Sequence, residues 1–164
     1  MFYIQLIGVL AFCILVLSFY KKTPKMIMLY QVASNFIYSI HYFLLGALSG
    51  AFINCIGIFR NVCLMNAKKH KNIISILIIL IYLLITIIFF EGMYSVLPLI
   101  ANSQYVIAIL KGNRKSLILG GIIGSSLWTI YAIFVNSYVS TITEMIIVIS
   151  NTIQLIKLNK NKIK

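Results

Sequence analysis

Seven apolar stretches fill almost all of this chain, and each approaches the roughly 17–25 residues a helix needs to cross about 30 Å of hydrocarbon. They run over 2–20, 26–46, 50–66, 72–90, 93–110, 116–135 and 138–156. The 164 residues are 62% hydrophobic and 10% charged, whereas soluble domains are about 45–50% apolar and about 25% charged. A soluble core could not enclose that much apolar surface. Lipid offers no partners to backbone N–H and C=O groups, so the spans must satisfy their own hydrogen bonds as helices. The sequence therefore predicts an all-α membrane protein with seven transmembrane helices.

A net charge of +12 raises the question of nucleic acid, and the placement of the charges argues against it. Lys21, Lys22 and Lys25 follow the first span, Lys68, Lys69 and Lys71 the third, Lys111, Arg114 and Lys115 the fifth, and the C-terminal lysines begin at Lys157. The even-numbered connections, near Leu48, Glu91 and Asn136, carry no Lys or Arg. This alternation is the positive-inside pattern: it predicts an external N-terminus and cytoplasmic odd-numbered connections and C-terminus. Basic loops at a membrane attract anionic headgroups, so the bilayer is the expected partner and nucleic acid is not. The first apolar run lacks a positive n-region and a small-residue cleavage pattern, and is read as a retained helix. Cys13, Cys55 and Cys63 form no CxxC pair and have no histidine at metal spacing, so they are expected to be core-packing thiols. No metal or cofactor is expected.

Shifting the sequence by ninety positions lays the first three spans on the last three without a gap. Lys21 meets Lys111, Lys25 meets Lys115, Ile40 meets Ile130 and Asn61 meets Asn151. Four spans separate equivalent helices, so the two triplets point the same way. The expected organisation is two parallel three-helix bundles, 1–67 and 92–157, joined by a linker helix within 68–91 and followed by a basic tail, 158–164. The fourth span is almost purely aliphatic and offers no candidate buried polar group, as a linker would. A 3+1+3 parallel repeat is the architecture of SWEET-type transporters, whose halves enclose a path around an axis along the membrane normal.

Polar side chains in hydrocarbon are costly and usually face the bundle interior. Under the ninety-residue shift Tyr38 meets Trp128, His41 meets Tyr131 and Asn54 meets Glu144. Each half thus offers an aromatic on its second helix and a polar group on its third, and these six residues are the candidate solute-binding set. Stacking would hold a flat solute, and Asn or Glu would bind its hydroxyls or amides. Glu144 is the lone carboxylate predicted inside the membrane and needs a partner or a proton. Arg60 is a possible charge partner, with snorkelling to the headgroups as the alternative. Pro98 and its first-half counterpart Gly8 are candidate hinges.

The run from His41 to Ala47, then Ser49-Gly-Ala51, Asn54 and Arg60-Asn61, with Gln31 upstream and Ser18-Phe19 closing the first span, resembles the YgjV-type bacterial inner-membrane proteins. These are similar in predicted fold to the SWEET and PQ-loop superfamily. The resemblance implies a bacterial inner-membrane location. From the wider superfamily it implies that Tyr38 with Asn54 and Trp128 with Glu144 surround a solute, with Glu144 departing from the second asparagine expected there and a Pro-Gln dipeptide lacking. These departures favour an amine or vitamin-like solute beside a sugar.

The leading expectation is a small-solute transporter or facilitator with a central cavity. The alternative is a non-transporting membrane protein with an accessory or lipid-interacting role. An enzyme is not expected, because no nucleophile, base and orienting group stand at plausible spacing.

Overall fold

The computed structural model of the chain describes residues 2–19, 24–67, 69–111 and 113–160. Lys21, Lys22, Lys68 and the end of the basic tail lie outside the described residues. The described chain is helical throughout: α1 (Phe2–Phe19), α2 (Pro24–Leu44), α3 (Leu48–Asn66), α4 (Lys71–Ile88), a 3-10 turn (Met93–Ser95), α5 (Val96–Lys111), α6 (Arg114–Phe134) and α7 (Tyr138–Lys160). Among the described residues four stretches are long and apolar enough to cross a membrane: Lys71–Ile88, Met93–Lys111, Arg114–Phe134 and Tyr138–Lys160. Phe2–Ser18 and Leu48–Leu64 are apolar but shorter.

Large aliphatic side chains cover the outside. Along α4 alone Ile73, Ile76, Leu77, Leu80, Leu84 and Ile87 are all exposed. In water such a continuous surface would be an aggregation liability; against lipid it is the solvated face. Cys13 and Cys63 share this outer surface, while Cys55 is half-buried beside Ser39. The core-packing reading of all three thiols is thereby corrected for two of them: where the solvent is apolar, a thiol gains nothing by turning inward.

Helix α2 packs between α1 and α3, and α6 packs between α5 and α7. Across these groups α1 meets α7 and α3 meets α5, while α4 touches α3 and α5. Helix α4 is not the featureless linker its composition suggests, for it buries Ser75, Ile78, Tyr82 and Thr86. These recur at a spacing of three or four, the stripe that faces a partner along a helix, and they are the face pressed between α3 and α5. Polar groups on that face escaped notice because aliphatic residues dominate the other sides.

The turns α2–α3 and α6–α7 share one hydrogen-bond pattern. Leu45 N–H donates to His41 O, Gly46 N–H to Phe43 O and Ala47 N–H to Tyr42 O; in the second turn Val135 N–H donates to Tyr131 O, Asn136 N–H to Ile133 O and Ser137 N–H to Ala132 O. Every partner is displaced by the same ninety positions. The turning residue is left-handed in both, Gly46 at φ 77° and Asn136 at φ 55°. Glycine and asparagine are the residues that tolerate this conformation at a helix C-terminus.

Candidate functional site

A cavity of about 770 Å³ lies between the two groups of helices. Five residue pairs ninety positions apart line it: Leu15 with Tyr105, Gln31 with Gly121, Asn35 with Ser125, Tyr38 with Trp128, and Asn54 with Glu144. It extends to the end of the bundle that carries the odd-numbered connections, because Arg114, the first residue of α6, and Gln154, near the end of α7, are part of its wall. At its other end it stops against Tyr42 and Trp128, whose rings are 5.5 Å apart.

That closed end is an aromatic plug. Tyr131 lies 5.7 Å from Tyr42 and 5.4 Å, edge to face, from Trp128, and Tyr94 lies 6.1 Å from Tyr131. Edge-to-face and offset rings exploit the opposite polarity of ring faces and edges, which adds about 0.5–1.5 kcal/mol per pair to the burial itself.

Behind the plug the polar groups are spent on the protein. The Tyr131 hydroxyl accepts from Gly50 N–H at 2.9 Å and is 3.0 Å from Ser49 Oγ, which in turn donates to Glu91 at 3.0 Å. The Glu91 carboxylate also accepts from the N–H groups of Leu48 and Ser49. A carboxylate over the first turn of α3 satisfies donors that have no partner within the helix, and it suits the positive end of the helix dipole. His41 completes a matching arrangement. Its Nδ1 lies 2.8 Å from the Ile4 carbonyl, which only accepts, so Nδ1 carries the hydrogen; Nε2 lies 2.8 Å from Ser137 Oγ, beside Ser140 at 2.7 Å.

His41 and Tyr131 are fully buried in this layer and are not part of the cavity wall. The structure does not bring them to the cavity wall with the other four candidates: their polar atoms meet the N-terminal ends of α7 and α3 and, for His41 Nδ1, the Ile4 carbonyl of α1. The candidate hinges also have other work. A Cβ on Gly8 would meet the His41 ring at 3.0 Å, so this glycine makes room for the imidazole. Pro98 is the third residue of α5, where a helix has no use for an N–H, and so it starts a helix instead of bending one.

The other four candidates do meet in the cavity: Tyr38, Asn54, Trp128 and Glu144. Asn54 donates from Nδ2 to Gly50 O at 2.9 Å within its own helix, leaving Oδ1 as an acceptor. The Tyr38 hydroxyl is buried without a hydrogen-bond partner, with Glu144 and Thr143 of α7 beside it. Glu144 is half-buried, its remaining exposed surface facing the cavity, and Ser125 is its polar neighbour. Among the described residues no cationic side chain lies within salt-bridge distance of it.

Arg60 neither snorkels nor pairs with Glu144. It is 5% exposed, donating from Nε to Asn61 Oδ1 at 3.1 Å and from Nη1 to Asn102 Oδ1 at 2.9 Å, with its guanidinium 5.2 Å from the centre of the Tyr105 ring. Neutral amide oxygens and a ring face solvate this cation within the bundle. The fully buried Tyr82 of α4 adds its hydroxyl nearby. Tyr42, Tyr82 and Tyr105 were absent from the sequence-derived set. For Tyr42 a signal existed, since it lies four residues after Tyr38 and so on the same helix face.

A family model described as Imp-YgjV, bacterial inner membrane protein, matches residues 2–162 of the chain. No curated protein and no solved structure matches it.

Proposed function

Since the chain belongs to the Imp-YgjV family of bacterial inner membrane proteins, we propose that it is a small-solute transporter or facilitator whose path runs between two repeat halves. The observation that carries this reading is the cavity: both halves contribute equivalent positions to a polar interior, inside a protein whose outer surface is apolar. Intramembrane polar groups that face an interior cavity mark substrate and ion pathways.

We read the seven helices as two parallel triple-helix bundles with α4 between them. Three observations support this: the shared hydrogen bonds of the two turns, the equal lengths of α2 and α6 at the same offset, and the matching of the α1–α7 contact with the α3–α5 contact. With odd-numbered connections assigned to the cytoplasm by their charge, the cavity faces inward and the aromatic plug closes the external side. Alternating access would then exchange this state for one in which the plug parts and the Arg60 end closes.

The test is thermal stability of the purified protein against sugars, nucleosides, vitamins and amines. A ligand that binds the folded state raises the melting temperature by mass action, about 2.7 kcal/mol at a hundred times its dissociation constant. A stabilising solute that is also taken up into proteoliposomes supports transport. Absence of both stabilisation and uptake across the panel would favour the non-transporting alternative, in which the polar groups serve only to hold helices together.

A further inference from the structure

The structure carries an imbalance of charge. Arg60 is solvated by two amide oxygens and a tyrosine ring, whereas Glu144, in the same cavity, has no cation within salt-bridge distance among the described residues and only the Ser125 hydroxyl as a neighbouring donor. An ionised carboxylate in such surroundings is expensive to keep without a counter-charge. Its neighbours are aromatic rings and neutral polar groups. The faces and edges of Tyr38, Tyr42 and Trp128 form the inner end of the cavity, Asn54 presents a free carbonyl oxygen, and the buried Tyr38 hydroxyl next to Glu144 lacks a partner. A carboxylate among ring faces and oxygen acceptors matches one ligand chemistry, an organic cation. The carboxylate supplies the opposite charge, and the rings attract the cation through their quadrupoles when it lies within about 6 Å of a centroid.

We infer that the inner end of the cavity is a binding site for an organic ammonium ion, with Glu144 as counter-ion and Tyr38, Tyr42 and Trp128 as its aromatic wall. This rests on the solute-cavity reading and narrows it. The two arginines of the cavity wall do not oppose the cation strongly: Arg114 begins α6 at the mouth, fourteen residues before Trp128, about 21 Å at 1.5 Å per residue, and Arg60 is also set back. Its Cα lies six residues beyond that of Asn54 along α3, about 9 Å toward the mouth at 1.5 Å per residue, and its guanidinium is turned to α5.

Trp128 is the only tryptophan of the chain, so intrinsic fluorescence reports on this wall without a label. The experiment titrates the full-length protein in detergent with choline and with n-propylammonium, using 3,3-dimethylbutan-1-ol as the neutral match in shape to choline. The expected result is a saturable change in Trp128 emission with the cations, at least tenfold tighter for choline than for its neutral match. In Glu144→Gln, the cation response weakens at least tenfold while melting stays near that of the parent; Glu144→Asp retains a weakened response. The comparison of choline with its neutral match needs no variant, so it stands even if both variants fold poorly. Equal affinity for the two would overturn the inference, as would an undiminished response in Glu144→Gln, which would make Glu144 a protonated structural group. If a sugar or nucleoside alters emission and melting while the cations do not, the cation site is refuted and the solute cavity stands. If no solute alters either, both readings fall.

Discussion

His41 and Tyr131 stand ninety positions apart, at the same place on α2 and α6, and reach in opposite directions across the bundle. His41 bonds Ser137 at the start of α7 at 2.8 Å, and Tyr131 takes the Gly50 N–H in the first turn of α3 at 2.9 Å. Helix α2 thus holds the N-terminal end of α7, and α6 that of α3. The aromatic plug sits between these two clasps, so parting the closed end means breaking both.

Tyr131→Phe keeps the ring packing and removes the hydroxyl. Gly50 N–H and Ser49 then lose a buried partner, which costs about 1–3 kcal/mol. Reversible unfolding in detergent should show this loss. Under the transport reading the same variant also raises labelling, by an impermeant thiol reagent from outside, of an Asn54→Cys probe in a background lacking the three native cysteines. Unchanged labelling would mean that the clasp does not control access.

Among the close helix approaches that depend on glycine, two face an asparagine amide. A Cβ on Gly121 would lie 2.5 Å from Asn151 Nδ2, and one on Gly57 would lie 2.8 Å from Asn35 Nδ2. Alanine at either position forces the amide or the helix to shift, a cost of about 1–3 kcal/mol for overpacking. Melting of Gly121→Ala should fall at least as far as that of Gly57→Ala, because its contact is shorter.

Gly46 is different, with nothing within 4 Å of the position a Cβ would take and a backbone φ of 77°. The cost there is conformational. Gly46→Asn, copying Asn136 in the matching turn, should leave melting nearly unchanged. Gly46→Val, β-branched in the left-handed region, should lose about 1–2 kcal/mol or more. Equal melting of the two variants would remove the left-handed turn as a determinant.

Arg60→Lys retains the charge but not the fork that reaches Asn61 and Asn102 together. Hydrogen bonds to charged groups contribute about 1.5–3 kcal/mol, and a loss in that range is expected in unfolding. A double-mutant cycle with Asn102→Ala should give a coupling of about 1 kcal/mol or more; a coupling near zero would leave the Asn102 contact without energetic weight.

Asn54→Ala breaks only a bond to the preceding turn of its own helix, so its effect on stability should be small, within about 1 kcal/mol. Flux of the stabilising solute in proteoliposomes should nevertheless be abolished in Asn54→Ala and in Glu144→Gln, with expression at the parent level. Full flux in both would remove these residues from the pathway.

The sequence alone determined that this protein is helical and membrane-embedded and, to within four residues, where its described helices start and stop. Hydrocarbon admits few backbone solutions, and charges and turn residues such as Gly46 and Asn136 mark the ends of apolar runs. Counting along the spans also placed Tyr38, Asn54, Trp128 and Glu144 at comparable depth, and all four line the cavity. Depth along a helix follows from counting residues, but the neighbour a side chain faces does not. His41 lies only three residues beyond Tyr38 and shares its side of α2, yet one turn higher it meets Ile4 and Ser137 and leaves the cavity. Arg60 found two amides and a ring instead of a carboxylate, and α4 buried Tyr82 against α3 and α5, for the same reason. The rotation of each helix about its axis and the offset between neighbours are fixed by packing of several helices at once, and only the tertiary structure decided them.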